Sequence, residues 1–348
     1  MKETDFIEQN NERNQTVKQH KRIWPWFFVF ILFLAAVVGA VFYKAGFTFS
    51  QINVNGSGDI AFLPDAKDAP KIEQDPDRVN ILLLGLRGAD DDNGGLLTDT
   101  MMVLSLKKST GQAAMISVPR DLYVKMPVLA GEKSEPIREK INFAYAFGEE
   151  TKAGMGLAFS KAAISNVTGL YIDHVISVDF IAFKDLIDIL GGVDVYLGKP
   201  FKETSQFAQE ILLELPQGPN HLDGKTALYF VRSRFSTSDF DRAHRQQQVL
   251  LAVKEKALSL GVLLNPVKIF EILDSLGRHV RTDIGISQIN GLISLARNIN
   301  SGEIDQKVFD TTPVGLLYHT TSDKGTYILL PVGDNFDRMR EASRNIFQ

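Results

Sequence analysis

The chain has no cysteine. Disulfides, thiolate metal sites and cysteine nucleophiles are therefore excluded, and the redox compartment is left open. A basic excess is also missing. Thirty-eight Lys and Arg stand against 42 Asp and Glu, for a formal net charge of −4, which argues against nucleic acid as a partner. No G-x-S-x-G elbow occurs, so a Ser-His-Asp hydrolase is not indicated. The 6 histidines have no H-E-x-x-H zinc spacing. Without a Walker A loop, a nucleotide triphosphatase is disfavoured. No internal repeat or low-complexity segment is apparent.

Charge is wholly absent from Ile23 to Tyr43, IWPWFFVFILFLAAVVGAVFY. A run of this length suffices to cross a bilayer, which needs about 20 apolar residues. Trp24, Trp26 and Tyr43 suit the two interfaces, and Lys18, Lys21 and Arg22 before the run put the N-terminus in the cytoplasm. The long aromatic core and the poor cleavage context of Tyr43-Lys44-Ala45-Gly46 favour an uncleaved signal anchor over a signal peptide. The expected organisation is a disordered cytoplasmic tail (1–22), a transmembrane anchor (23–45) and a stalk (46–77). An extracytoplasmic domain (78–300) and a C-terminal extension with short strands and a helix (301–348) follow.

Val79–Leu86 is a continuous apolar run, as expected of a strand buried on both faces. Met101–Leu106 and Ala113–Val118 read as a hairpin around Lys107–Gln112. Further strands are expected at His174–Phe180, Val193–Leu197, 308–314 and 327–332. Helices are expected at 158–168, stopped by Gly169, and at 181–190, 222–229, 246–260, 265–276 and 287–298. This alternation predicts an α/β domain with a mixed central sheet covered by helices on both faces.

Arginine is concentrated in Tyr229–Gln248, YFVRSRFSTSDFDRAHRQQQ. Read as a strand running into a helix, it puts Arg232 and Arg234 on one strand face and Arg242 and Arg245 on one helix face. Both pairs then converge. Guanidinium forks match phosphate oxygens, so a ligand with two or more phosphates is the expected occupant. A solvated salt-bridge network with Asp239 and Asp241 is the competing reading. Two other polar stretches sit at strand ends, where open α/β sheets place ligands. In Arg87–Thr100, the oxygens of Asp90, Asp91 or Asp92 suit Mg²⁺ or Mn²⁺, and Asp99 is placed to hold a metal or to orient an arginine. In Ser117–Asp121, Pro119 stops the strand and presents Arg120 and Asp121.

Taken in order, NILLLG, TDTMMVLSL, SVPRDLYV, KINFAYAFG, VDFIAFKDLIDILGGVDV, HLDGKTALYFVRSR and DFDRAHRQQQVL resemble the LytR-CpsA-Psr family from about Val79 to Leu250. The resemblance implies a membrane-anchored glycopolymer phosphotransferase on the outer face of the bacterial membrane. Such an enzyme moves a glycan from a polyprenyl-diphosphate carrier to peptidoglycan, with the lipid chain in an apolar tunnel. It also implies roles for residues. Asp99 is a Mg²⁺ ligand; Arg120, Arg232, Arg234, Arg242, Arg245 and Gln246 contact the diphosphate; Asp121 and Asp239 complete the catalytic set. Two positions depart from the pattern. Arg87 stands where the family carries a second metal-binding aspartate, leaving that role to Asp90, Asp91 or Asp92, and Leu97 replaces an arginine. Phe143–Phe147 and Ile164–Leu170 are candidate tunnel walls, with ordinary core the competing and commoner role for any one of them. Rival readings are a polyprenyl-diphosphate phosphatase and a non-catalytic binder of lipid-linked polysaccharide.

Overall fold

The computed structural model of the chain describes residues 60–61, 72–88, 95–131, 137–204, 213–234, 237–257, 277, 279–297 and 304–348. The tail, the uncharged run, Asp90 to Asp92 and the helix expected at 265–276 lie outside the described residues. No helix among the described residues is long and apolar enough to cross a membrane.

Six strands build the central sheet. They are β1 (Arg78–Gly88), β2 (Gly95–Lys107), β3 (Ala113–Ser117), β4 (His174–Val178), β5 (Val280–Thr282) and β6 (Ile304–Val308). The order is β5-β4-β1-β2-β3-β6. β1–β2 and β2–β3 are antiparallel, as a hairpin sequence requires. The β1–β4 and β3–β6 pairings are parallel, and each needs a long crossover. The sheet is therefore mixed. Its centre is buried on both faces: Leu82 and Val103 are fully inaccessible, which matches the unbroken apolar run of β1.

Helices are α1 (Ala144–Thr151), α2 (Gly156–Thr168), α3 (Phe180–Ile189), α4 (Gly224–Arg232), α5 (Asp239–Ala257), α6 (Ile286–Arg297) and α7 (Asp337–Arg344). Gly169 ends α2 in the left-handed conformation, φ 66°, where a residue without Cβ carries no penalty. α1, α2 and α7 belong to the larger core, with Ile164, Val167 and Met339 against Leu82 and Val103. α4 and α5 form a second core through Phe230 and Val249, shared with the antiparallel strand pair Val193–Leu197 and Gly218–Leu222.

Tyr229–Arg234 is not a strand. Asp223 caps α4 by accepting a hydrogen bond from the Thr226 N–H at 2.7 Å. Ala227, Phe230 and Val231 are buried at i, i+3 and i+4, so the helical period holds over the short alternation of Tyr229 and Val231. Arg232 is thus the last residue of a helix, and α5 already begins at Asp239.

The segment after residue 300 contributes to the same fold. β6 is an edge strand of the central sheet, and a hairpin of β7 (Leu317–Thr321) and β8 (Tyr327–Pro331) follows it. α7 is held by the buried guanidinium of Arg78, which donates to the carbonyls of Ser343 at 3.0 Å and Arg344 at 3.2 Å. Arg340 donates to the Asn166 carbonyl on α2 at 2.9 Å.

Candidate active site

The loop after β3 places Arg120 at the centre of three carboxylates. Pro119 lacks the N–H needed to continue the ladder, so the chain leaves the sheet there. Arg120 Nη1 donates to Asp99 Oδ1 at 2.5 Å. Its Nε lies 3.5 Å from Asp239 Oδ2 and 3.6 Å from Asp121 Oδ2. Burial opposes the charge on Arg120, but Asp99, Asp239 and Asp121 outweigh it and raise its pKa above the usual arginine value. Lys140 donates to Asp121 Oδ1 at 2.6 Å and so takes up part of its charge. Lys140 was not singled out in the sequence, although it opens the quoted K-I-N-F stretch.

Arg242, on the first turn of α5, is 7% exposed. Its Nη1 lies 3.4 Å from Asp239 Oδ1, and its Nη2 donates to the Asp99 carbonyl at 3.4 Å. Desolvation lowers its pKa; Asp239 opposes this and the like charge of Arg120 adds to it. The Nε atoms of Arg120 and Arg242 are both buried without a hydrogen-bond partner. Two buried guanidinium donors with no protein acceptor in hydrogen-bond geometry leave these arginines incompletely satisfied, which suits an anionic ligand.

These side chains line two cavities that share one wall. The shared wall is Asp99, Thr100, Arg120, Arg234, Arg242 and Gln246. On one side lies a cavity of about 250 Å³ between the sheet and α3, α4 and α5. Leu83, Met102, Phe183, Leu186, Leu228 and Val253 make it apolar, and Arg87 and Arg232 stand with the shared arginines at its polar end. Arg232 also stacks its guanidinium 4.4 Å from the Phe180 ring centroid. On the other side lies a cavity of about 450 Å³ with Asp121, Ser238, Asp239 and Tyr327 in its lining. Burial, then Asp121 and Asp239, push the Tyr327 hydroxyl pKa up.

The structure thus brings together Asp99, Arg120, Asp121, Arg232, Arg234, Asp239, Arg242 and Gln246. Gln246 also donates to the Val231 carbonyl at 3.3 Å. Arg245 is separate, contrary to the convergence expected from its spacing. Its Nε donates to the Phe230 carbonyl at 2.9 Å, its Nη1 to Thr237 Oγ1 at 3.1 Å, and its Nη2 to the Ser233 carbonyl. Burial lowers its pKa to about 10. The orphan carbonyls at the α4 C-terminus attract this cation, so Arg245 fastens the turn after α4 and lines neither of the two cavities. Gln247 is a feature the sequence did not flag. Fully buried, it donates to Ser117 Oγ at 3.0 Å and approaches the Lys307 carbonyl at 3.4 Å, pinning α5 to β3 and β6. The expected tunnel walls Phe143, Phe147, Ile164 and Leu170 pack in or against the larger core instead.

A divalent cation finds a poor fit among the described residues. No group of three or more His, Asp or Glu side chains suited to a metal occurs there. One oxygen of Asp99 is held by Arg120, and the other lies 3.9 Å from Arg87 Nε. Two guanidinium groups therefore already balance the charge of the expected ligand.

Comparison with known proteins gives consistent matches. A polyisoprenyl-teichoic acid–peptidoglycan teichoic acid transferase, TagU of Oceanobacillus iheyensis, is 32% identical over 321 residues, covering 88% of this chain and 93% of that protein. The corresponding transferase TagT of Bacillus subtilis is 26% identical over 318 residues, covering 88% and 93%. The crystal structure of B. subtilis TagV superposes with a TM-score of 0.58 at 26% identity, covering 78% of this chain and 98% of that one. The LytR_cpsA_psr family model matches residues 51–345, and with the match extending over most of its length the chain belongs to that family.

Proposed function

We propose that the protein is a membrane-anchored transferase that moves a glycopolymer from a polyprenyl-diphosphate carrier onto a hydroxyl of a cell-wall acceptor such as peptidoglycan. The observation that carries this reading is the arginine-rich wall shared by two cavities, one the more apolar and the other carrying Asp121 and Asp239. The apolar cavity suits a prenyl chain, the shared wall suits a diphosphate, and the carboxylate side suits a polar acceptor. The transferase names of the relatives point the same way. Anchoring and an extracytoplasmic position rest on the uncharged run Ile23–Tyr43 and the basic residues before it.

In this mechanism Arg120, Arg234 and Arg242 hold the diphosphate, and Arg87 and Arg232 meet the phosphate nearer the prenyl chain. The acceptor oxygen attacks the glycan-bearing phosphorus, and its proton passes to Asp239, the more exposed of the two carboxylates confined to the polar side. The bond from phosphorus to the bridging oxygen breaks, and polyprenyl phosphate departs with the electron pair. Phosphoryl transfer needs positioning and charge neutralisation more than covalent assistance, and buried guanidinium groups supply both. Asp99 orients Arg120 throughout.

The test gives the full-length protein in detergent a polyprenyl-diphosphate glycan and peptidoglycan oligomers, with Mg²⁺ or with chelator, beside Arg120→Ala. Glycan linked to peptidoglycan by the wild type, reduced about 100-fold or more in the variant, is the expected result. Release of phosphorylated glycan to water without linkage would instead identify a diphosphatase. Tight donor binding without turnover under either metal condition would refute an enzyme. Chelator sensitivity would assign a metal ligand role to Asp99.

A further inference from the structure

The polar cavity is also lined by Tyr327 and Leu329 of the β7–β8 hairpin, a segment that the arginine and carboxylate motifs do not include. Tyr327, 50% exposed, starts β8 and lines that cavity. Its ring stacks on the exposed ring of His319 from β7, with centroids 6.1 Å apart and planes 18° apart. The register pairs His319 with Leu329 and Thr321 with Tyr327. Tyr327, Leu329 and His319 therefore share one face of the hairpin.

An exposed tyrosine on a hairpin carries no meaning alone. Here the hairpin is tied to the reacting groups. The Leu329 N–H donates to the Asp121 carbonyl at 2.9 Å, and Leu122 bridges Leu329 in parallel. The Tyr327 ring thus has a fixed place relative to the Arg120-Asp121 loop. Asp121 and Asp239 both raise its hydroxyl pKa along with burial, so the hydroxyl stays protonated and available as a donor on the carboxylate side.

We propose that Tyr327 and His319 form a stacking platform for the sugar ring of the acceptor. This deepens the transferase reading and rests on it. The direction of attack selects the acceptor over the donor glycan. Attacking and leaving oxygens lie roughly in line through phosphorus. The leaving prenyl phosphate is drawn toward the apolar cavity, whose lining excludes Tyr327. The nucleophile then approaches from the opposite side, where Tyr327 stands beyond the shared arginine wall. A flat, half-exposed aromatic pair offers a pyranose its apolar face, while Asp239 and the Tyr327 hydroxyl meet its edge.

The test measures transfer at saturating donor while peptidoglycan oligosaccharide is varied, for wild type, Tyr327→Ala, Tyr327→Phe and His319→Ala. Tyr327→Ala is expected to raise the acceptor KM about tenfold, the scale of a lost aromatic stacking contact. Tyr327→Phe keeps the ring and should stay within about threefold of wild type, with His319→Ala between the two. Donor Kd should be unchanged in all three. A tenfold weaker donor Kd in Tyr327→Ala would mean that the ring holds the donor glycan, and an unchanged acceptor KM would mean that it holds no sugar; either overturns the proposal. Direct binding of the oligosaccharide, followed by saturation-transfer NMR, separates this outcome from failure of the transferase reading. Without turnover, the platform still requires wild-type binding that Tyr327→Ala weakens, and absence of wild-type binding refutes it. Should Tyr327→Ala unfold, Tyr327→Leu supplies the same comparison with an apolar strand residue.

Discussion

Arg242 should make the protein less stable in order to make it active. Its guanidinium is 7% exposed, its Nε has no hydrogen-bond partner, and its two polar contacts are both 3.4 Å long. Desolvation lowers its pKa despite Asp239, so the folded site disfavours this charge. Arg242→Met keeps much of the apolar stem and removes an unsatisfied buried donor, worth about 1–3 kcal/mol. For a unit of roughly 300 residues that is about 2 °C in Tm per kcal/mol, so the ligand-free variant should melt about 2–6 °C higher. With a prenyl diphosphate such as farnesyl diphosphate at about 100 times its wild-type Kd, the wild type gains about 2.7 kcal/mol. A variant binding about a hundredfold more weakly gains only about 0.4 kcal/mol by the same relation. Differential scanning fluorimetry of the full-length protein with and without that ligand reads both numbers. Transfer activity should fall about 10²–10³-fold. A lower Tm for the ligand-free variant, or an undiminished ligand shift, would refute this account of the site.

Gly224→Ala is expected to destabilise by roughly 2 kcal/mol, as overpacking does, although alanine is the better helix former by about 1 kcal/mol. The added Cβ would meet the Lys184 carbonyl oxygen and come within 2.9 Å of Asp188 Cγ, where backbone cannot yield; equal or raised stability in urea titration would contradict that contact. Acid sensitivity should fall in Asp283→Asn. Burial alone would raise the Asp283 pKa, but hydrogen bonds from His174, Lys161 and the Val175 N–H lower it below the usual aspartate value. Its stabilisation is thus complete above about pH 4, is lost as pH falls through the folded value, and should vanish from the Tm–pH profile of the variant.

The parts of the fold legible in the sequence are those encoded locally. The apolar runs of β1 and β3, the turn between β2 and β3, the Gly169 stop and the helix beginning at Phe180 each follow from residues within one turn of each other. Tyr229–Arg234 was ambiguous for the same reason. A period of two and a period of 3.6 share residues over so short a window, and Asp223, outside the window, decides for the helix by capping it. Arg232 and Arg234 still reach the shared cavity, but from a helix end and the residue after its cap rather than from a common strand face. Arg245 shows the limit of spacing as evidence. Three residues apart on a helix gives a neighbouring direction, and the unsatisfied carbonyls of Phe230 and Ser233 turn one of two neighbours away from the site.

What the sequence could not give depends on long-range pairing. β6 lies beside β3 although nearly the whole domain separates them in the chain, and no periodicity encodes a partner at that distance. The same holds for the lipid-side cavity. α1 and α2 are as apolar as α3 and α4, and an apolar stripe does not say which sheet face it covers. The face matters because α1 and α2 close a packed core while α3, α4 and α5 leave space between them and the sheet. The arginines stand where that space meets the carboxylate side, beside β2 and the end of β3. A charge cluster placed there joins an apolar chamber to a polar one, and a substrate with a lipid end, a diphosphate and a sugar end has the same sequence of chemistries along its length. Had the arginines been on the α1–α2 face, the same residues would have faced a filled core, and the phosphate site would have had no room for the prenyl chain.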